Sequence, residues 1–330
     1  MKESSRTMMF LRRTVLAAAA CSLAAGAAFA QAWPSKPITI VNGYPAGGDS
    51  DAMARLYAEK LSAKLGQQVI VDNKPGASGT IAASAVAKAA PDGYTLIFVP
   101  STFAIAQLTL KPSPATAHDV LKDFTPIIRT ANVPLMAVAA PGTFKDMKAV
   151  IDAAKGGKAL TYGSPGSGSP MHLLGEMLNK DASVKITHVP YRGVAPVVTD
   201  ALGGHIAVGW VTPPAVAGHL QGNKLVPLAI ADKQRSKLFP NVQTLVELGY
   251  KNAEITAWHG LLGPKGLPAD VTSKLNAAMN EVLKMPDVVQ KMQALGYEVV
   301  GGEPSALTSV IAADQERFGR VIKEFGITAE

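Results

Sequence analysis

The sequence predicts an α/β protein of two lobes, and three observations carry that expectation. Short β-like runs alternate with amphipathic helical stretches, an order that builds parallel sheets covered by helices. The order β-α-β-α-β occurs twice. The chain from Gln31 to Glu330 is also long enough for two cores of ordinary size.

In the first set, Ile38-Thr39-Ile40-Val41 forms a strand, and Ser50 to Lys64 a helix with Met53, Leu56, Tyr57 and Leu61 on one face. Gln68-Val69-Ile70-Val71 is the second strand and Ser78 to Ala89 the second helix. Pro91-Asp92-Gly93 then turns the chain into a third strand, Tyr94 to Val99. The second set begins with a strand at Ala159 to Tyr162 and a helix at Ser169 to Asn179. It continues with a strand at Lys185 to Val189, a helix at Ala195 to Leu202 and a strand at Ile206 to Val211. The C-terminal end is helix-rich, over Pro268 to Leu283, Asp287 to Leu295 and Ser305 to Phe325. There is no low-complexity segment and no repeat of solenoid period.

At the N-terminus, Lys2, Arg6, Arg12 and Arg13 precede an uncharged, Ala- and Leu-rich run from Val15 to Phe29, which closes on Ala28-Phe29-Ala30. This is the pattern of a secretory signal peptide, residues 1–30, cut after Ala30. The run is shorter than the ~20 apolar residues of a membrane span, so the mature chain is expected to be soluble and periplasmic. Arg12-Arg13 also resembles a twin-arginine signal, which leaves the export route open. Cys21 has Ala18 where a lipid-attachment site expects Leu, which favours plain cleavage.

Cleavage removes Cys21, the only cysteine, and with it disulfide, zinc-thiolate and thiol chemistry. The formal net charge falls from +7 to +4, because four basic residues and one acid leave. A weak excess with no basic run does not fit a nucleic-acid binder. His188, His205, His219 and His259 are scattered without metal-ligand spacing, so no metal or cofactor is expected.

Open α/β sheets bind ligands at strand-to-helix turns, and two turns here are rich in glycine and hydroxyls. The first runs from Asn42 through Tyr44, Pro45, Ala46, Gly47, Gly48 and Asp49 to Asp51. Gly43 and Gly48 fit the glycines of the phosphate-loop pattern G-x-x-x-x-G-K-S/T, but Asp49 stands where that pattern needs Lys and would repel a phosphate. The turn is either a ligand loop at a helix N-terminus or a plain turn capped by Asp49 or Ser50. Asp51 suits the helix dipole and needs no ligand to explain it.

The second turn, Tyr162 to His172, offers Ser164, Gly168 and Ser169 as an anion nest. A serine hydrolase built on Ser164 or Ser169 with His172 is the rival, although no serine sits in G-x-S-x-G and His172 is too close in sequence to read as a triad base. Tyr191-Arg192-Gly193 follows a strand, and Arg192 either holds a carboxylate or lies on the surface. Trp210 ends a strand as a cleft wall or a core residue. Ser101, just past the third strand, completes the candidates.

Taken together these segments resemble the substrate-binding proteins of tripartite tricarboxylate transporters, the family known from Bordetella as Bug proteins. The matching pieces begin with Trp33-Pro34-Ser35-Lys36-Pro37-Ile38, Tyr44-Pro45-Ala46-Gly47-Gly48 with Asp51 and Arg55, and Asn73-Lys74-Pro75-Gly76-Ala77-Ser78-Gly79. Ala87 to Leu96, Lys122 to Pro126, Tyr162-Gly163-Ser164 with Gly168, Ser169 and His172, and His188 to Gly193 follow in order. Trp258-His259-Gly260-Leu261 and Leu295-Gly296 complete them.

The resemblance implies a two-lobe periplasmic binding protein fold of type II kind with two chain crossings, near Val133 to Ala140 and Ala253 to Gly263. Lobe 1 would then be residues 31–135 and 256–330, and lobe 2 residues 136–255. It implies no catalysis, a small organic carboxylate held by the Tyr44 to Ser50 loop and the Ser164 to Ser169 turn, and delivery by a monomer to membrane permease subunits. A ligand sensor with a membrane signalling partner is a further alternative.

Two departures from the family pattern bear on cargo. Val211 stands where amino-acid binders carry an acid, which disfavours an ammonium. Asp49 replaces a small or neutral residue and is expected to stay at the helix cap. With Tyr44, Trp210 and Tyr191 as flat walls, an aromatic or medium-chain mono- or dicarboxylate is expected over an amino acid, with a short dicarboxylate as the alternative.

Overall fold

The computed structural model describes residues 33–110 and 113–327. The leader, Cys21 and the junction at Ala30 lie outside the described residues. The chain divides into two compact units, Met1–Ser35 and Lys36–Glu330. In the first, Trp33–Pro34 is a cis peptide; the second contains both sheets.

The first predicted set appears as β1 (Ile38–Asn42), α1 (Asp49–Leu65), β2 (Val69–Asn73), α2 (Thr80–Ala87) and β3 (Thr95–Pro100). Then come α3 (Thr102–Thr109), β4 (Phe124–Pro134), β5 (Met136–Ala139) and α4 (Met147–Lys155). The second set is β6 (Leu160–Ser164), α5 (Pro170–Ala182), β7 (Ile186–Pro190), α6 (Val194–Leu202) and β8 (Val208–Val211). It continues into α7 (Pro213–Gln221), β9 (Val226–Ile230) and β10 (Thr256–Pro264). The chain ends through α8 (Ala269–Val282), α9 (Pro286–Ala294), β11 (Glu298–Val299) and α10 (Pro304–Phe325).

The six-stranded sheet is ordered β11-β4-β10-β3-β1-β2 and the five-stranded sheet β7-β6-β8-β5-β9. Each keeps the expected parallel core: β1 pairs parallel with β2 and β3, and β6 parallel with β7 and β8. Both sheets are nevertheless mixed, because in each the strand that receives the chain from the other sheet, β10 or β5, runs the other way. β10 is antiparallel to β3 and β4, and β5 is antiparallel to β8 and β9.

The chain leaves the first sheet at the end of β4 and enters the second at β5 after one residue, the fully buried Leu135. It returns between β9 and β10. Ala231 ties the two crossings together: its N–H donates to the Leu135 carbonyl (2.9 Å) and its own carbonyl accepts from the Ile255 N–H (3.0 Å).

α1 forms because Met53, Leu56, Tyr57 and Leu61 recur at helical spacing, and all four are buried against the first sheet's core. Each contributes about 1.5–3 kcal/mol by leaving water. The helix stops at Gly66, whose left-handed φ of 67° lets its N–H reach the Ser62 carbonyl. On the second sheet Met136, Val138, Val211 and Ile230 pack in one cluster with Val197 of α6.

Candidate functional site

A cavity of about 120 Å³ lies between the two sheets, at the C-terminal ends of β1, β3, β6, β7 and β8. The first lobe supplies Tyr44, Pro45, Ala46, Gly48, Asp49 and Ser50, then Ser101 and Thr102, Val133, Ala257 and His259. The second supplies Pro165, Pro170 and Met171, the stretch from Arg192 to Pro196, and Thr212. Most of this wall is apolar.

Helices begin where those strands end, and four of them have no side-chain cap. Gly48, Ser101, Gly193 and Thr212 are the N-cap residues of α1, α3, α6 and α7, and none caps its helix with a side-chain hydrogen bond. All four line the cavity. A helix N-terminus carries roughly half a positive charge on unsatisfied N–H groups, so four of them make the cavity receptive to an anion. Arg192, at the exposed rim, adds the only formal cation of the lining among the described residues.

The loop from β1 to α1 is organised from beneath by buried polar groups. Asp51 accepts from the Gly47 N–H (2.9 Å), Arg55 Nε (2.9 Å) and Asn73 Nδ2 (2.9 Å). Desolvation pushes the Asp51 carboxyl up, but these hydrogen bonds together outweigh it and hold its pKa below the usual range. Asn42 Oδ1 accepts from Ser50 Oγ (2.7 Å), Asn73 Nδ2 also donates to the Tyr44 carbonyl (3.0 Å), and the Tyr44 hydroxyl donates to the Ser78 carbonyl (3.1 Å).

Asp49 departs from its expected place at the cap. The N-cap is Gly48, and Asp49 is the first helical residue. Its Oδ1 accepts from the Ser50 N–H (2.7 Å) and its Oδ2 from the hydroxyl of Thr212 (2.7 Å), which belongs to the other lobe. The carboxylate therefore lines the cavity and joins its two walls. Ser101 and His259 also belong to the lining, 2% and 3% exposed, and Ser101 Oγ and His259 Nδ1 have no hydrogen-bond partner among the described residues. Burial pushes the His259 imidazole down to about 4, with the negative charge of Asp49 opposing.

Seven candidates from the sequence thus line the cavity: Tyr44, Pro45, Ala46, Gly48, Asp49, Ser101 and Arg192. Others serve the structure around it. The Gly47 N–H is taken by Asp51, and the Gly168 N–H donates to His172 Nδ1 (3.1 Å). Ser169 caps α5 by accepting from the His172 N–H (3.2 Å), and the Tyr191 hydroxyl donates to Asp200 (2.5 Å). Trp210 and Val211, 1% and 0% exposed, sit in the second lobe's core and not on the cavity wall, because β8 is covered on both faces.

Ser164 is also fully buried and hydrogen-bonded to His188 Nε2 (2.7 Å), while the His172 and His188 rings stack with centroids 3.9 Å apart. A serine–histidine contact is present, but it is sealed beneath the turn where no substrate carbonyl reaches it. Burial holds His172 near 4, and burial together with His172 holds His188 near 3. Sequence reasoning passed over His259 and Thr212. The one signal in the sequence was the place of His259 in Trp258-His259-Gly260-Leu261, a segment that carries the resemblance; in the structure the register of β10 on β4 shifts there, between His259 and Gly260.

Residues 53–327 match the tripartite tricarboxylate transporter family receptor, TctC. Protein BugT of Bordetella pertussis is 35% identical over 299 residues, covering 90% of this chain and 91% of that protein. A Rhodopseudomonas palustris protein solved with adipate superposes with a TM-score of 0.85 at 31% identity, covering 90% of this chain and 99% of its own. MatC from the same organism, solved with bound malate, gives a TM-score of 0.81 at 29% identity, covering 88% of this chain and 100% of its own. The chain therefore belongs to the tripartite tricarboxylate transporter receptor family and is one of its periplasmic solute-binding proteins, a binder and not an enzyme.

Proposed function

We propose that the inter-lobe cavity captures a small organic carboxylate for delivery to the membrane subunits of a tripartite tricarboxylate-type permease. The observation that carries this is the convergence of four uncapped helix N-termini on one largely apolar cavity rimmed by Arg192. Partial positive charge on rigid backbone suits a carboxylate, and the apolar wall suits a hydrocarbon body. The relatives solved with adipate and malate support the same class.

Of the three flat walls on which an aromatic cargo was expected, Trp210 is buried in the lobe core and Tyr191 does not line the cavity, which leaves Tyr44. An aliphatic carboxylate is therefore favoured over an aromatic one. Capture proceeds by closure of lobe 1, residues 31–135 and 256–330, on lobe 2, residues 136–255, about the crossings at Leu135 and Ile255. The working protein is a monomer cleaved after Ala30. Thermal-shift and calorimetric screens of aliphatic, hydroxylated and aromatic carboxylates, amino acids and neutral sugars test the assignment. Submillimolar binding confined to carboxylates is expected. Binding of a neutral solute in preference to all of them would sink it.

A further inference from the structure

We infer that the ligand is a carboxylate carrying a hydrogen-bond donor at the end that meets Asp49, and that Asp49, Ser101 and His259 select this donor over a second ionised carboxylate. This rests on the cavity taking a carboxylate, as proposed above.

Asp49 is the only acid in the lining among the described residues. It makes no ion pair among them, and its two observed partners, the Ser50 N–H and the Thr212 hydroxyl, are neutral. Its position in the first turn of α1 means that the field of that helix already serves Asp49. The N-caps of α3 and α7, Ser101 and Thr212, stand at the Asp49 end, so the N-terminus of α6 at Gly193, with Arg192 beside it, remains for the ligand's carboxylate. A second carboxylate against Asp49 would bring two like charges together in a poorly hydrated space.

The unpartnered groups say what belongs there instead. Ser101 and His259 belong to the cavity lining, and Ser101 Oγ and His259 Nδ1 are buried without a hydrogen-bond partner among the described residues. Native proteins leave few such atoms, and those left in a binding cavity are completed by the ligand. A hydroxyl donates a hydrogen bond to Asp49 and exchanges hydrogen bonds with Ser101 and His259. An ammonium gives one N–H to each of the three, with the neutral imidazole accepting. A plain methyl end satisfies none of them, and an ionised carboxylate has no proton for Asp49. Thr212 holds the Asp49 carboxylate in place from the opposite lobe, so the selection is made in the closed form.

Calorimetry on the purified protein with adipate, hexanoate, 6-hydroxyhexanoate and 6-aminohexanoate, and with their four-carbon counterparts, tests this. At one chain length, the hydroxy or the amino acid should bind at least about tenfold more tightly than both the dicarboxylate and the plain acid. Which of the two leads identifies the donor. Asp49→Asn keeps an oxygen for Thr212 and should bring the dicarboxylate to within about threefold of the donor-bearing acid. Asp49→Ser, with its melting temperature measured alongside, should do the same if the Asn variant is poorly folded. A dicarboxylate that matches or beats both donor-bearing acids in the unaltered protein overturns the inference alone. Failure of every carboxylate while a neutral solute binds overturns the carboxylate assignment and the inference with it.

Discussion

Gly168→Ala separates closure from stability. Gly168 has a φ of 74°, and a Cβ built on it would lie 2.1 Å from Thr109 Oγ1 and 3.3 Å from Ala106 Cα. Gly168 belongs to the turn between β6 and α5, whereas Thr109 and Ala106 belong to α3 on the first sheet's side, so the overlap arises where the lobes meet. Two costs follow, and they differ in where they are felt. A left-handed alanine is strained by about 1–2 kcal/mol whether the lobes are open or closed. Overpacking against Thr109 costs about 1–3 kcal/mol and disappears when the lobes part. If capture requires closure, only the second reaches the binding constant, so Gly168→Ala should weaken the best carboxylate about 5- to 150-fold. Adding Thr109→Ala removes the nearest atom and should restore most of the affinity, while the melting temperature stays depressed. Calorimetry and thermal unfolding on both variants read the two costs apart. Wild-type affinity in Gly168→Ala, or no recovery in the double variant, would refute the coupling of ligand capture to this contact.

Ser101→Ala deletes a buried hydroxyl without a partner among the described residues, so the ligand-free protein should be unchanged or slightly more stable while ligand affinity falls by about 0.5–1.5 kcal/mol, read by calorimetry. Asp51→Asn removes the charge that gathers Gly47, Arg55 and Asn73, and should lower both thermal stability and affinity. Because the folded pKa of Asp51 is depressed, its contribution is complete above the unfolded value of about 4 and fades as pH falls through the lower folded value. His172, His188 and His259 are held neutral well below the unfolded value of about 6.5, so the unfolded chain binds more protons and stability should decline as pH falls from about 6.5 toward 4. Urea unfolding across that range should show a decline that His188→Gln makes shallower; an equal slope would remove the stacked pair from the explanation.

Elements that advertise themselves by period or punctuation were legible in the sequence. Met53, Leu56, Tyr57 and Leu61 mark the buried face of α1 because a helix against a sheet needs one apolar stripe. β10 was missed for the opposite reason: eight of its nine residues are buried, so the alternation that signals a half-exposed strand is absent. β4 carries Pro126, Arg129 and Asn132 within its length, which mask it equally well. Candidate residues on the loops divided according to hydrogen bonds that sequence spacing does not display. The Gly47 N–H looked available for a ligand, yet it is taken by Asp51 four residues on. Ser164 looked available too, and is satisfied by His188 from the next strand. His259 reaches the cavity from a strand more than 150 residues beyond Ser101, and only the antiparallel register of β10 on β3, with His259 opposite Pro100, brings the two together.

The loop between β1 and α1 separates support from recognition. Asp51, Asn42 and Asn73 fix its backbone from the buried side, with every contact made to main chain or to neighbouring side chains of the same lobe. Asp49 takes almost no part in that scaffold: apart from the adjacent Ser50 N–H, its bond is to Thr212 across the cleft. Residue 49 can therefore change without disturbing the loop that presents it, whereas a change at Asp51 disturbs the presentation itself. The chemistry proposed to face the cargo is thus carried by a side chain that is not part of the scaffold holding the loop. An acid at that position, pinned by a hydroxyl from the opposite lobe, makes discrimination depend on closure: the lobes must meet before Asp49 is held where a donor can reach it and a second carboxylate is turned away.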